Sequence, residues 1–229
     1  MNNKLLSDCI KVLLLDDHAV VRHGYRRWID GEDDMCVVAE AATSAQACEC
    51  LRQAEIDIAV IDLSLKNDSG LEAMRRLRER QPRLKMLAFT MHDHAGFALQ
   101  ALRLGAMGYV TKDSEPQQLL DALRQVAEGR RVFSGEVAQF CLAQAQAGES
   151  AFDPFAQLTP REFEVLRLTT SGQDAAVIAQ ALHVSQKTVL NTMSQVRQKL
   201  DVRNDFRLMR LAEQHGLAGL GAAASALPC

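Results

Sequence analysis

The sequence predicts an α/β fold, a doubly wound five-stranded parallel sheet, followed by a small all-α unit of four helices. Short apolar runs and amphipathic stretches of helical length alternate across the first 128 residues. A Gly-, Pro- and alanine-rich polar stretch then interrupts that rhythm over 129–156, and beyond it only helix signals remain. A chain of 229 residues is long enough for two modest domains, each with its own core. Strands that alternate with helices call for a parallel sheet, because parallel neighbours must be joined by a crossover, which a helix supplies.

The apolar runs are Val12–Leu15, Met35–Ala39, Ile56–Ile61, Leu84–Phe89 and Met107–Val110. Several are continuously hydrophobic, as strands covered on both faces should be. The helical stretches are Ala19–Ile29, Ser44–Gln53, Leu71–Arg80, Ala95–Leu104 and Pro116–Glu128. For the last, Ser114 with Gln117 three residues on has the pattern of a capping box. The expected division is a first domain over 1–128, a linker over 129–156, a second domain over 157–218 and a tail over 219–229. Within the linker, Val132–Ala147 could still carry some helix.

The second domain opens on Thr159, Pro160 and Glu162, which suit the N-cap, first and third positions of a helix. Phe163, Leu166 and Thr170 follow at helical spacing, and Gly172 ends the helix. Asp174 can cap the next, Ala175–Leu182. After a turn at His183 and Val184, Ser185 caps a third helix to about Leu200, and a fourth spans Asp205–Gln214. Two helices joined by a tight turn, the second polar on one side, form a helix-turn-helix.

Composition excludes several classes. With 48% hydrophobic and 24% charged residues the chain is neither disordered nor fibrous. No apolar run approaches the ~18 residues of a membrane span. The short run before Asp16 and Asp17 lacks a cleavage site, so no signal peptide is expected. The cysteines at 9, 36, 48, 50, 141 and 229 form no CxxC pair and no zinc spacing, so free, buried or incidental thiols in a reducing cytoplasm are expected. The net charge of −3 hides an asymmetry: residues 157–218 carry +2, which leaves −5 for the rest. That is compatible with nucleic-acid binding by the second domain alone.

The chemistry gathers at strand ends. Asp16 and Asp17 end the first strand, Asp62 the third and Thr90 the fourth, and Lys112 follows the fifth. Ligands of open parallel sheets bind outside the carboxyl ends of the strands, so these groups converge on one rim. Three carboxylates in one cleft repel each other unless a cation joins them, and an oxygen-only donor set suits Mg²⁺. Asp62 is then placed as a nucleophile toward a phosphoryl group, Lys112 supplies a point charge and Thr90 a hydroxyl. No Gly-rich phosphate loop or catalytic triad points to a metabolic enzyme.

Here the chain resembles the receiver domains of bacterial response regulators, a flavodoxin-like fold. The residues that carry the resemblance are VLLLDDH (12–18), VIDLSL (60–65), Gly70-Leu71-Glu72, AFT (88–90) and GAMGYVTKD (105–113). It implies that Asp62 is the phosphoacceptor and that Asp16, Asp17, Asp62 and the backbone carbonyl of Ser64 hold Mg²⁺. It further implies that Thr90 and Lys112 contact the phosphoryl group and that Tyr109 is an aromatic switch. The chain departs from the family at Lys66 and Asn67, where receivers usually carry a proline and then a glycine.

The second domain resembles the LuxR-type helix-turn-helix of the NarL/FixJ family, on LTPREFEVLRL (158–168), Gly172, IAQAL (178–182), VSQKTV (184–189) and KLDV (199–202). Its third helix is expected in the major groove, with Lys187 and Lys199 on phosphates, Asn191 on adenine, Val189 on a thymine methyl and Thr188 as a further contact. Leu190 and Thr192 stand where the family commonly has a lysine and a histidine, and Gln173–Ala176 replaces a more usual polar and basic run. Fewer cations predict weaker, less salt-sensitive DNA binding.

Together the resemblances imply a cytoplasmic, phosphorylation-controlled transcription regulator with a sensor histidine kinase and DNA as partners. It would form a homodimer on phosphorylation and self-catalyse only its own phosphorylation and dephosphorylation. Two readings compete: a regulator whose helical domain docks on protein through Leu190, and a phosphorylation-independent transcription factor with a vestigial receiver.

Overall fold

The computed structural model describes residues 9–65, 69–91, 95–133, 154–215 and 217. The departures at Lys66 and Asn67, most of the expected linker and the expected tail lie outside them. The chain divides into two compact units, one holding the sheet and the other the helices from Pro160 onward.

The first unit runs β1 (Ile10–Leu15), α1 (Ala19–Ile29), β2 (Met35–Ala41), α2 (Ser44–Gln53), β3 (Ile58–Ile61), α3 (Gly70–Arg80), β4 (Lys85–Thr90), α4 (Ala95–Arg103), β5 (Ala106–Thr111), α5 (Pro116–Ala127) and β6 (Val132–Phe133). The strand order is β2-β1-β3-β4-β5-β6, and every pair is parallel. The chain steps from β1 to β2 on one side and returns to place β3 on the other, so the order reverses between β1 and β3. All four residues of β3 are buried, as a central strand covered on both faces requires. Leu119, Leu123 and Val126 of α5 pack with Val12, Leu14, Val60, Leu87 and Val110 of the sheet.

Among the described residues the sheet has six strands rather than the expected five. Gly129 takes a left-handed φ of 85° after α5, and Val132 and Phe133 then pair with Gly108 and Tyr109. A two-residue edge strand carries no run long enough to show period-two patterning, so it was hidden inside the expected linker.

Ser114 does not cap α5. Its hydroxyl lies 3.0 Å from that of Thr111, Glu115 takes the N-cap position, and Gln117 donates to Asp121 instead. The thiol expectation also needs correction, because Cys9 and Cys36 form a disulfide with their Cα atoms 6.2 Å apart. Ile10 pairs with Met35 where β1 runs beside β2, which brings two cysteines distant in sequence together. Cys48 is buried and Cys50 half-buried on α2, both free thiols, and Cys141 and Cys229 fall outside the described residues.

The second unit contains α6 (Pro160–Thr170), α7 (Ala175–Ala181), α8 (Gln186–Lys199) and α9 (Asp205–Gln214). Phe163, Leu166, Ile178, Val196 and Leu208 are buried and supply each of the four helices with an inward face. The start of α6 is the expected capping box, with the Thr159 hydroxyl accepting from Glu162 N at 3.3 Å and Thr159 N donating to Glu162 Oε2 at 2.8 Å. Gly172, at φ 83°, turns the chain after α6, and Ser185 caps α8 through Thr188 N at 3.1 Å. Asp174 stands at the N-cap of α7 without a side-chain cap bond, so that expectation holds for the backbone only.

Glu162 Oε2 also accepts from Lys199 Nζ at 2.6 Å, which ties the start of α6 to the end of α8. Burial works against the Glu162 charge, but hydrogen bonds from Lys199 and Thr159 outweigh it and hold the carboxyl below the usual carboxylate range. A carboxyl lowered in the folded state stabilises above its unfolded pKa of ~4.3, and that gain is lost as pH falls through the folded value. Glu162→Gln is therefore expected to lower stability by about 1 kcal/mol at pH 7. Hydrogen exchange along Pro160–Thr170 checks this: the variant's protection should be several-fold lower at neutral pH, and the gap should close below pH ~4. A gap that is independent of pH would contradict it.

Candidate functional site

β1 and β3 end side by side, with Leu15 paired to Ile61, so Asp16 and Asp62 emerge from adjacent strands at the point where strand order reverses. That crevice is where open parallel sheets bind ligands. Asp16 and Asp62 are buried, at 6% and 3% exposure, which is unusual for carboxylates without a partner. Their partner is Lys112, which follows β5. Its Nζ lies 2.5 Å from Asp16 Oδ2 and 2.7 Å from Asp62 Oδ2. Burial disfavours the ammonium, but hydrogen bonds to Asp16 and Asp62 outweigh it and hold the Lys112 pKa above its ordinary value. Lys112 N donates to Thr90 O at 2.8 Å, which fixes where the lysine leaves the sheet, and Nζ stands 6.0 Å over the Phe89 ring.

Thr90 and Tyr109 are both fully buried, Thr90 closing β4 and Tyr109 lying within β5. Ser64 N donates to Asp62 Oδ1 at 2.9 Å, so the loop after β3 folds back on the carboxylate. The structure thus brings Asp16, Asp17, Asp62 and Lys112 together, with Ser64 and Thr90 at the same edge.

Oxygen and nitrogen atoms of Asp16, Asp17, His18 and Asp62 lie within 4.8 Å of one another, a spacing one metal ion can span. Three carboxylates against one lysine leave net negative charge in a mostly buried crevice, which a divalent cation would balance. The donor set fits a hard cation such as Mg²⁺, with oxygen from all three aspartates.

Sequence reasoning assigned no role to three residues here. His18 Nδ1 sits 2.9 Å from Asp17 Oδ1 and 3.3 Å from Asp16 Oδ1, and its position directly after the aspartate pair was the available signal. Arg22, in α1, donates to the Asp16 carbonyl at 2.6 Å and braces the loop from above. Gly70 opens α3 so close to β3 that a Cβ there would fall 2.2 Å from the Asp62 carbonyl oxygen and 2.3 Å from Leu63 Cα. No side chain fits against backbone at that distance.

In the second unit, α8 turns Val189, Met193 and Val196 into the core and leaves Gln186, Lys187, Thr188, Leu190 and Asn191 exposed. Lys187 and Asn191 lie exposed in the N-terminal half of α8. Val189 is 1% exposed, and this corrects the expected thymine contact: it is a core residue one position away from the open face. The Thr188 hydroxyl lies 2.8 Å from that of Ser185, inside the cap. Lys199 is half-exposed and held by Glu162 and by the Gln157 carbonyl at 3.2 Å. It serves the fold of the unit and is not free to extend toward a phosphate without breaking that pair.

Gly70→Ala is expected to displace Asp62 and to destabilise the first unit by about 1–3 kcal/mol, the usual cost of overpacking. Thermal unfolding followed by Trp28 fluorescence would show a lower midpoint, and an unchanged midpoint would refute the packing account.

A family model described as the response regulator receiver domain matches residues 12–124, and one described as bacterial regulatory proteins of the luxR family matches residues 156–212. The response regulator UvrY of Escherichia coli K12 is 33% identical over 208 residues, which cover 91% of this chain and 95% of that protein. The oxygen regulatory protein NreC of Staphylococcus carnosus is 35% identical, covering 89% of this chain and 96% of its own. A solved structure of RcsB from Salmonella enterica serovar Typhimurium, bound to promoter rprA in the presence of the phosphomimetic BeF3−, is 26% identical. It covers 90% of this chain and 98% of that one, with a TM-score of 0.60.

Proposed function

The chain belongs to the bacterial response regulators that join a receiver domain to a LuxR-type domain, phosphorylation-controlled DNA-binding regulators, and on that premise we propose how its own residues perform the cycle. The observation that carries the reading is the buried Asp16–Lys112–Asp62 arrangement at the switch of strand order.

In this reading Asp62 attacks the phosphorus of a phosphohistidine on a sensor histidine kinase. An Asp62 oxygen–phosphorus bond forms as the histidine nitrogen–phosphorus bond breaks, giving an acyl phosphate and a free imidazole. Asp16, Asp17, Asp62 and the Ser64 carbonyl would hold Mg²⁺, which supplies charge neutralisation at the phosphoryl oxygens. Lys112 exchanges its contact with the Asp62 carboxylate for one with the phosphoryl oxygens while it keeps Asp16. Thr90 donates its hydroxyl to the same group, and Tyr109 repacks behind it as the switch. The receiver in this way catalyses its own phosphorylation and the later hydrolysis.

The proposed domain division keeps a receiver from the N-terminus to about residue 128 and a DNA-binding domain over 157–218, with 129–156 joining them and 219–229 as a tail. On DNA, Lys187 meets a phosphate, Asn191 pairs with adenine and Thr188 supports the helix N-terminus. Lys199 keeps α8 seated through Glu162. Phosphorylation favours a homodimer whose paired domains read two half-sites. The protein would work in the cytoplasm; no helix among the described residues is long and apolar enough to cross a membrane.

Incubation with a small-molecule phosphoryl donor and Mg²⁺ should give a phosphorylated chain by intact mass, and Asp62→Asn should abolish it. With the phosphoryl mimic, the wild-type protein should retain discrete fragments of genomic DNA that it loses without the mimic. Equal capture by Asp62→Asn and wild type would support the vestigial-receiver alternative instead.

A further inference from the structure

The exposed stripe of α8 carries Lys187, Leu190, Asn191, Ser194 and Gln198, one face of the helix in which Leu190 and Asn191 follow Lys187 by three and four residues, with Val189, Met193 and Val196 turned to the core behind it. Its chemistry is unusual for a surface meant for a polyanion: one lysine, three uncharged polar groups and a leucine that is 59% exposed. A single exposed leucine is ordinary on a protein surface. What distinguishes Leu190 is its place, one turn after Lys187 and beside Asn191, in the half of the helix nearest the base edges of a major groove.

The edges of the base pairs in that groove are hydrogen-bond donors and acceptors, with one apolar exception, the C5-methyl group of thymine. An isobutyl group facing any other edge would strip water from polar atoms and return no hydrogen bond. Val189, the residue expected to make an apolar contact, is in the core and cannot reach it. We infer that Leu190 is a specificity-determining residue that reads a thymine methyl in each half-site, next to the adenine read by Asn191. The inference rests on the DNA-binding reading above. With Lys187 the sole cation on the stripe, the sequence-independent attraction is small. The methyl contact then makes up a larger share of what separates a site from other DNA.

The test replaces a methyl by a hydrogen without touching any hydrogen bond. The full chain, with Mg²⁺ and the phosphoryl mimic, selects a duplex from a random-sequence pool. Each thymine of that duplex is then exchanged for deoxyuridine. At one position per half-site the exchange should weaken wild-type binding about three- to fivefold, the value of one buried methyl group. At the same position 5-methylcytosine should bind better than cytosine by a similar factor. Leu190→Ala should be indifferent to both exchanges, and Leu190→Met should keep the preference. Leu190→Lys should lose it and add about one phosphate contact to the salt dependence.

Deoxyuridine tolerated at every thymine would overturn the inference and leave DNA binding intact. So would equal losses for wild type and Leu190→Ala. Failure to select any duplex, with α8 still helical by circular dichroism, would overturn the DNA-binding reading and the inference with it. That result would favour the surface as a protein-docking face.

Discussion

The first unit is organised around one buried charge arrangement: Lys112 held between Asp16 and Asp62. Removing three charges from water is costly, and close hydrogen bonds among them recover that cost only when each donor is aimed by its own strand. Here β1, β3 and β5 do the aiming. Their register brings the Lys112 ammonium within hydrogen-bond reach of both carboxylates, while the Lys112 amide is tied to Thr90. Apolar packing under the sheet sets strand positions, and strand positions set the charges. On the proposed function, a change of charge on Asp62 would act on β4 and β5 through Lys112, and Thr90 and Tyr109 are buried in those strands. Packed cores respond to such a change by moving between discrete arrangements, which is what a switch needs.

The same dependence explains how much was legible in the sequence. Strand ends are marked by the residues that break an apolar run, so the sequence alone puts Asp16, Asp17, Asp62, Thr90 and Lys112 on one rim. α1 and α2 fell on their expected residues because amphipathic period and length agreed there. What escaped was decided by three-dimensional proximity. Gly70 matters because α3 begins against the backbone of Asp62, which no local pattern reveals. Cys9 and Cys36 meet across two strands, and spacing rules for cysteines carry no information about a pair brought together by register. β6 is two residues long, below what periodicity can detect.

Side-chain direction on α8 was the other blind spot. Val189 and Leu190 are adjacent and both apolar, and which one faces the core is a matter of ~100° of helix rotation. That angle is set by where Met193 and Val196 pack, at four and seven residues from Val189. Sequence reasoning gave the thymine contact to the buried residue and left the exposed one open: a lost cation, a protein contact or a reader of a methyl group. Lys199 shows the converse: a charge at the end of the expected recognition helix looks free until Glu162 is found within 2.6 Å of it.

Taken together, these assignments limit how the second unit can work under the proposed function. With Lys199 paired and a leucine on the stripe, Lys187 is the one cation on the exposed stripe of α8, and on the proposed function one domain alone would hold DNA weakly. A weak monomer is well suited to control by assembly. Linking two such domains on one duplex makes the second contact intramolecular, and occupancy then depends steeply on the dimer population. A phosphorylation event that shifts that population by a few kcal/mol can thus move promoter occupancy from near empty to near full. A more basic recognition helix would bind DNA in both states and blunt the response. On the proposed function, the low charge of the α8 stripe would make the output depend on the charge switch at Asp62.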